Sequence, residues 1–386
     1  MFKFLKDVEF NDIKAVGKKA YNCSIMIKNN INTPDGFVIY GKLNVSDFKV
    51  VKRFTNNDVL YAVRSSMGNE DNTDVSCAGK YLSFLGLKKN EIKYAVKEIY
   101  KHAYDSKDKC VLVQPLICSE VSGVVFTKNP ITNNGFLINS VLGIGENVVS
   151  GCITPDEYEV IDNNINLKNT QKNVIFTYEQ KEEIGRTKRF NGIRARVVIE
   201  NKNKLILSVN YLDRYKPTLN DMQIEKLIED CEKIKRIFKC EQDIEFAIKD
   251  NTIYYLQARP ITSISKNITN DTFKQKGIPL IGQGASMGTF KGEAVKIDYG
   301  VPVNRNIDFK NMIVVLDELY PELIYSLNNI GALVTAKGGI LSHAAIVARE
   351  RNIPCVTGLD DKIDKIESGM QLYVDANNGE VFICDA

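Results

Sequence analysis

Two histidines occur in the 386-residue chain, His102 and His343, and only the second stands in a setting that suggests chemistry. His343 follows a strand-like run, Gly331–Ala336, and a Gly338-Gly339 turn; Ser342 is placed as an N-cap and Ala344–Arg351 as a helix ended by Asn352 and Pro354. That order sets an imidazole on the first turn of a helix, where free N–H groups and the positive dipole end favour a phosphate. A neutral imidazole nitrogen is also a competent nucleophile towards phosphorus. On spacing alone, a histidine that only caps the helix is the simpler reading. His102 lies in a polar helix end and reads as a solvated surface ring.

A second constellation falls in two strand-like runs, Gln242-Asp243-Ile244-Glu245-Phe246-Ala247 and Tyr255-Leu256-Gln257-Ala258-Arg259-Pro260. In extended chain Asp243 and Glu245 share one face, as do Gln257 and Arg259. Oxygen donors from Glu245 and Gln257 suit Mg²⁺, and the forked donors of Arg259 suit phosphate oxygens. Any one Asp-x-Glu is more simply a solvated edge hairpin, so the weight lies with the run as a whole.

The elements that must position these residues are of mixed type. Up to about residue 110, short strands (Gly36–Tyr40, Val59–Val63) alternate with a helical stretch near Asn90–Tyr104, as in an α/β lobe. From there to about Thr262 the runs Val111–Gln114, Gly123–Thr127, Gly135–Ser140, Val197–Glu200, Leu205–Val209 and Thr252–Gln257 read as a mainly antiparallel second lobe. One good helix, Asn220–Phe238, interrupts it. Arg186–Arg196, rich in basic residues, reads as a loop, more simply solvated than loosely facing phosphate. Residues 263–276 are polar and unpatterned, as a linker is; beyond them Gly284–Ile297 and Met312–Leu316 read as strands, followed by the strand–helix–strand unit of His343 and Cys355–Thr357.

With 44% apolar and 26% charged residues and a net charge of +3, the composition is that of a globular chain of two or three domains and not of a nucleic-acid binder. The nine cysteines are scattered without a Cys-x-x-Cys pair, which predicts reduced thiols, neither disulfides nor zinc. No apolar run approaches the roughly 18 residues that span a bilayer, and the N-terminus lacks the core of a signal peptide; the expected location is cytoplasmic, with no membrane partner.

The stretch Gly338-Gly339-Ile340-Leu341-Ser342-His343-Ala344-Ala345-Ile346-Val347-Ala348-Arg349-Glu350, continuing through Ile353-Pro354-Cys355-Val356-Thr357-Gly358, closely resembles the phosphohistidine signature of phosphoenolpyruvate synthase, pyruvate phosphate dikinase and rifampicin phosphotransferase. The resemblance covers most of residues 10–262 as well. Val16-Gly17-Lys18-Lys19-Ala20 is similar to the family's glycine-rich opening, with Lys18 replacing a glycine. Pro34–Ile39, Ala62-Val63-Arg64-Ser65-Ser66, Glu70-Asp71, Ser76–Gly79, Gln114-Pro115, Ser122–Thr127, Gly143–Gly151 and Thr154-Pro155-Asp156 follow in order.

The resemblance implies a fold of the α/β and α+β multidomain class: a two-lobed ATP-grasp domain (1–262, lobes about 1–110 and 111–262), a linker (263–276) and a small swivelling β/α phosphohistidine domain (277–386). It implies ATP as substrate, bound by Lys19, Arg64, Gln114, Thr127, Glu245, Gln257 and Arg259, with Mg²⁺ on Glu245 and Gln257. His343 would be the phosphoryl carrier in a loop of Gly338, Gly339 and Ser342, and Lys19 and Arg64 would share its chemistry. In such a reaction His343 takes the β-phosphoryl group, AMP and phosphate leave, and the histidine passes its load to an acceptor.

Three departures stand out. The first lobe is shorter than in relatives; Leu341 stands where many have threonine; and the family's acceptor domain is expected to be absent. The acceptor is accordingly either a small molecule or a separate subunit of a split synthase. An ATP-binding regulatory protein without chemistry is the remaining alternative, against which the joint presence of His343, Arg64, Glu245, Gln257 and Arg259 speaks.

Overall fold

The computed structural model describes residues 1–66, 82–102, 109–145, 153–162, 164–179, 187–201, 203–261, 278–298, 309–319, 323, 327, 329–340 and 342–384. Glu70-Asp71, Ser76–Gly79, Glu146–Gly151, the linker 263–276 and Leu341 lie outside them. The chain divides into two compact units, the first built from Met1–Lys128, Gly135–Gly145 and Asp156–Ile261, the second centred on the residues beyond Ile261.

The first unit opens with strand β1 (Phe2–Phe4) and helix α1 (Ile13–Lys28). Val16, Ala20, Cys23 and Met26 recur at helical spacing along α1 and are fully buried. The sequence reading missed this helix because Gly17-Lys18-Lys19 interrupts its pattern. The interruption is real: Gly17 has φ 79 and ψ 161, a conformation that glycine adopts without a Cβ penalty. Strand β2 (Phe37–Tyr40), α2 (Val45–Phe54), β3 (Tyr61–Ser65), β4 (Ser83–Leu87), α3 (Ile92–His102) and β5 (Cys110–Pro115) follow. The strands pair in the order β1-β2-β5-β3-β4, and Ile92, Ala95, Val96 and Ile99 of α3 pack into the core that covers them.

Strand β5 therefore lies in the middle of the first sheet, where the sequence had put it at the start of the second lobe. Its Cys-Val-Leu-Val run is buried throughout, which marks a central strand without saying to which sheet it belongs.

The next strands are β6 (Val121–Phe126), β7 (Phe136–Leu142), β8 (Asp156–Ile161), β9 (Asn164–Lys168), β10 (Val174–Tyr178), β11 (Thr187–Phe190), β12 (Ile193–Asn201) and β13 (Lys204–Val209). Four of these form a small antiparallel sheet in the order β10-β13-β12-β11. The basic stretch expected as a loop is the β11–β12 hairpin, turned by Asn191 (φ 46) and Gly192 (φ 81). Helix α4 (Asp221–Phe238) is capped by Asn220, whose side chain accepts from the Gln223 N–H. Strands β14 (Gln242–Lys249) and β15 (Thr252–Pro260) then complete a six-stranded antiparallel sheet, β15-β14-β6-β7-β8-β9.

The second unit holds β16 (Leu280–Ile281), β17 (Gln283–Ser286), β18 (Thr289–Ile297), β19 (Ile313–Leu316), β20 (Ala332–Thr335), α5 (His343–Glu350), β21 (Cys355–Thr357), β22 (Gln371–Asp375) and β23 (Glu380–Ile383). They make one mixed sheet, β16-β23-β22-β18-β19-β20-β21-β17, with parallel pairing from β18 through β21. The single strand expected over Gly284–Ile297 is two, broken at Gly288, whose φ is 128 and whose N–H donates to the side chain of Asn377.

Candidate active site

Two motifs far apart in sequence are tied by one hydroxyl. Ser66 donates to the Val16 carbonyl at 2.6 Å and accepts from the Ala20 N–H at 3.1 Å, holding the kink of α1 against the end of β3. Lys19 Nζ donates to the Ser65 carbonyl at 3.3 Å. Arg64, on β3, thus stands beside Lys19 for reasons of backbone geometry. Further along α1, Asn22 donates to the Ala258 carbonyl at 2.8 Å and Cys23 to the Leu256 carbonyl at 3.4 Å. The helix carrying Lys19 therefore runs along the outer edge of β15, the strand that carries Gln257 and Arg259. Burial pushes the Cys23 thiol up to about 12 against the pull of the Arg64 and Lys19 charges, so this cysteine is a packing group.

The strand pair β14–β15 sets its polar residues in register. Asp243 faces Arg259 and Glu245 faces Gln257 across the ladder, on one face of the sheet. Arg259 Nε donates to Asp243 Oδ2 at 2.8 Å. Arg64 Nη1 lies 3.9 Å from Glu245 Oε2, bringing a cation of the first sheet to a carboxylate of the second. Gln257 is 6% exposed and has no hydrogen-bond partner for its side chain among the described residues. Lys19, Arg64, Glu245, Gln257 and Arg259 are thus assembled where α1 and the first sheet meet the β14–β15 edge.

Gln114 and Thr127 are placed differently. The Gln114 amide donates to the Pro34 carbonyl at 2.7 Å. The Thr127 hydroxyl donates to Glu241 at 2.7 Å and accepts from the Gln242 N–H at 2.8 Å, clamping the end of β6 to the start of β14. The Gln114 amide nitrogen and the Thr127 hydroxyl are thus engaged within the protein, where they brace the frame of the site.

Asp156, at the start of β8, was quoted only as part of a motif. It is fully buried and accepts from Lys172 Nζ at 2.8 Å, from the Thr170 N–H at 2.8 Å and hydroxyl at 3.0 Å, and from the Thr218 N–H at 2.9 Å. No periodicity could have revealed that role, because its partners lie 14 to 62 residues away.

In the second unit His343 is the first residue of α5, directly after Ser342, which caps the helix by accepting from the Ala345 N–H at 3.3 Å. Gly338 has φ 104, so the turn before it uses a conformation open to glycine. Arg349, buried, reaches back from the far end of the helix: Nη2 donates to the Ile340 carbonyl at 2.7 Å and Nη1 to the Ala285 carbonyl at 2.8 Å. This guanidinium fixes the loop on which His343 stands. In sequence its only signal is its place in the run Gly338–Glu350.

For Mg²⁺ the Glu245 carboxylate and the Gln257 carbonyl are hard oxygen donors facing each other across one strand pair. No cluster of three metal-binding side chains occurs among the described residues. Two protein oxygens suit an ion that keeps water and substrate phosphates in its shell. No helix among the described residues is long and apolar enough to cross a membrane.

Residues 42–277 match the family model described as pyruvate phosphate dikinase, AMP/ATP-binding domain, and residues 308–379 match that of the PEP-utilising enzyme, mobile domain. A phosphoenolpyruvate synthase of Pyrococcus furiosus is 32% identical over 86% of this chain and 42% of its own length. A protein named "Probable phosphoenolpyruvate synthase" from Methanothermobacter thermautotrophicus is 29% identical over 99% of this chain and 55% of its own. The chain spans about half the length of these curated relatives. Among solved structures, a D-alanine–D-alanine ligase of Helicobacter pylori overlaps 64% of this chain and 54% of its own at 16% identity, with a TM-score of 0.32, a likeness too slight to carry weight. The fold is a two-lobed ATP-grasp domain followed by a small β/α domain, and the chain belongs to the phosphoenolpyruvate synthase and pyruvate phosphate dikinase family.

Proposed function

We propose that this chain is an ATP-dependent phosphotransferase of the dikinase type that loads a phosphoryl group onto His343. The observation that carries the reading is the assembly of Lys19, Arg64, Glu245, Gln257 and Arg259 around one face of the β14–β15 pair. Lys19, Arg64 and Arg259 would offset negative charge on the transferring phosphates, and Glu245 with Gln257 would hold Mg²⁺, which screens the same charge when bound. The Gly338-Gly339 turn, the Ser342 cap and the Arg349 lock present His343 at a helix start, which favours a phosphorylated side chain.

In the proposed step an imidazole nitrogen of His343 bonds to the β-phosphorus of ATP while the bond to the oxygen bridging the α- and β-phosphorus breaks. AMP departs with that oxygen, and the γ-phosphate leaves by hydrolysis. Phospho-His343 then donates to a small-molecule acceptor bound by this chain or by a separate acceptor subunit. A cytoplasmic location belongs to the same proposal, and the exposed thiol of Cys240 is in keeping with it.

The test is incubation of the purified protein with Mg²⁺ and ATP labelled at the β-phosphate. Acid-labile label on His343 together with AMP supports the reading, whereas ADP as the only nucleotide product rejects it. Repeating the chase with pools of small metabolites identifies a free acceptor; label that leaves only on addition of a second protein identifies a subunit.

A further inference from the structure

The six-stranded sheet carries further polar groups on the face of Glu245 and Gln257. Gln257, Glu245, Val124, Asn139 and Glu157 are successive cross-strand partners on β15, β14, β6, β7 and β8. Directly opposed residues project to the same side of a sheet, so Asn139 shares the face of Glu245 and Gln257. Its side chain is fully buried, and among the described residues neither Oδ1 nor Nδ2 has a hydrogen-bond partner. A buried carboxamide left unmet at both ends destabilises the fold, and an apolar residue of the same shape would remove that cost. The same face already carries apolar Val124 on one flank.

We propose that Asn139 is a further phosphate-binding residue of the nucleotide site, donating from Nδ2 to an oxygen of the polyphosphate chain at the end remote from Glu245. The inference rests on the ATP reading above. Asn139 stands two strands from Glu245, about 9.5 Å at ordinary sheet spacing. The two side chains are thus too far apart to share one small cation, whose ligands lie at about 2.1 Å, but suitably spaced to hold two ends of one extended anion. A neutral amide also serves a phosphate next to carboxylates better than a further acid would, because it adds a donor without adding negative charge.

The experiment measures binding of AMP and of a non-transferable ATP analogue, with a methylene between the α- and β-phosphorus, to the full chain in Mg²⁺ by calorimetry. Asn139→Leu should weaken the triphosphate about tenfold or more, the scale of a hydrogen bond to a charged group, while leaving AMP affinity unchanged. Asn139→Asp, matched in size, should weaken it further by repulsion. Wild-type affinity for the triphosphate in Asn139→Leu, above all with a raised Tm, would show the amide to be an internal orphan and overturn the proposal. Tighter triphosphate binding in Asn139→Asp would overturn it as well, by assigning the position to a cation. If wild-type protein binds neither nucleotide, the ATP reading itself fails, which is a separate result.

Discussion

The two candidate sites of this molecule are built on opposite plans. In the first unit the polar side chains stand on strands and a kinked helix, and they reach one another across long sequence separations: Arg64 to Glu245, Asp243 to Arg259, with Gln257 and Asn139 lacking partners within the described protein. In the second unit the described residues around His343 are held from within: Ser342 caps α5, and the Arg349 guanidinium holds the Ile340 and Ala285 carbonyls. The first plan leaves hydrogen-bonding capacity for something that arrives; the second consumes it to hold one residue in place. The proposed roles, a ligand grip and a side-chain mount, make these different demands.

The comparison breaks most sharply at His343. His343→Ala should abolish acid-labile phosphoprotein and AMP release while leaving ATP affinity within about twofold, since the mount contributes no grip. AMP still formed by this variant would remove the distinction. Next in size, Asp156→Ala strands the buried Lys172 without its carboxylate and should destabilise the first unit by about 3–5 kcal/mol, measured by denaturant unfolding. The transition reporting on the second unit should not move. Glu245→Gln keeps the shape of the grip but removes its charge; single-turnover formation of phosphohistidine should fall about 100-fold, and a rate equal to wild type would discard the carboxylate from the site. Ser342→Ala should cost only about 1 kcal/mol of stability in the second unit, with triphosphate affinity unaffected.

Much of this was legible before any fold was known, though unevenly. The β14 and β15 runs announced themselves because alternation places Asp243, Glu245, Gln257 and Arg259 on one face whichever sheet they join. Ser342 as cap and a helix opening beside His343 followed from local chemistry, although the helix was expected over Ala344–Arg351 and spans His343–Glu350. Helix α1 was not legible, because its positive-φ glycine and paired lysines look like a loop until tertiary packing of Val16, Ala20 and Cys23 overrides propensity. Strand β9 does alternate, with Ile165 and Leu167 between polar neighbours, but over only five mostly exposed residues, too short a run to stand out. The bracing roles of Gln114, Thr127, Asp156 and Arg349 depend on partners remote in sequence, which no spacing rule can supply.

The Ser66 hydroxyl carries a kinetic implication. By holding the carbonyl before the α1 kink and the amide after it, it joins the glycine-lysine segment to the strand end bearing Arg64 as one rigid piece. Any displacement of that piece carries the backbones of Lys19 and Arg64 together, so the spacing from which their side chains reach outward is kept through the motion.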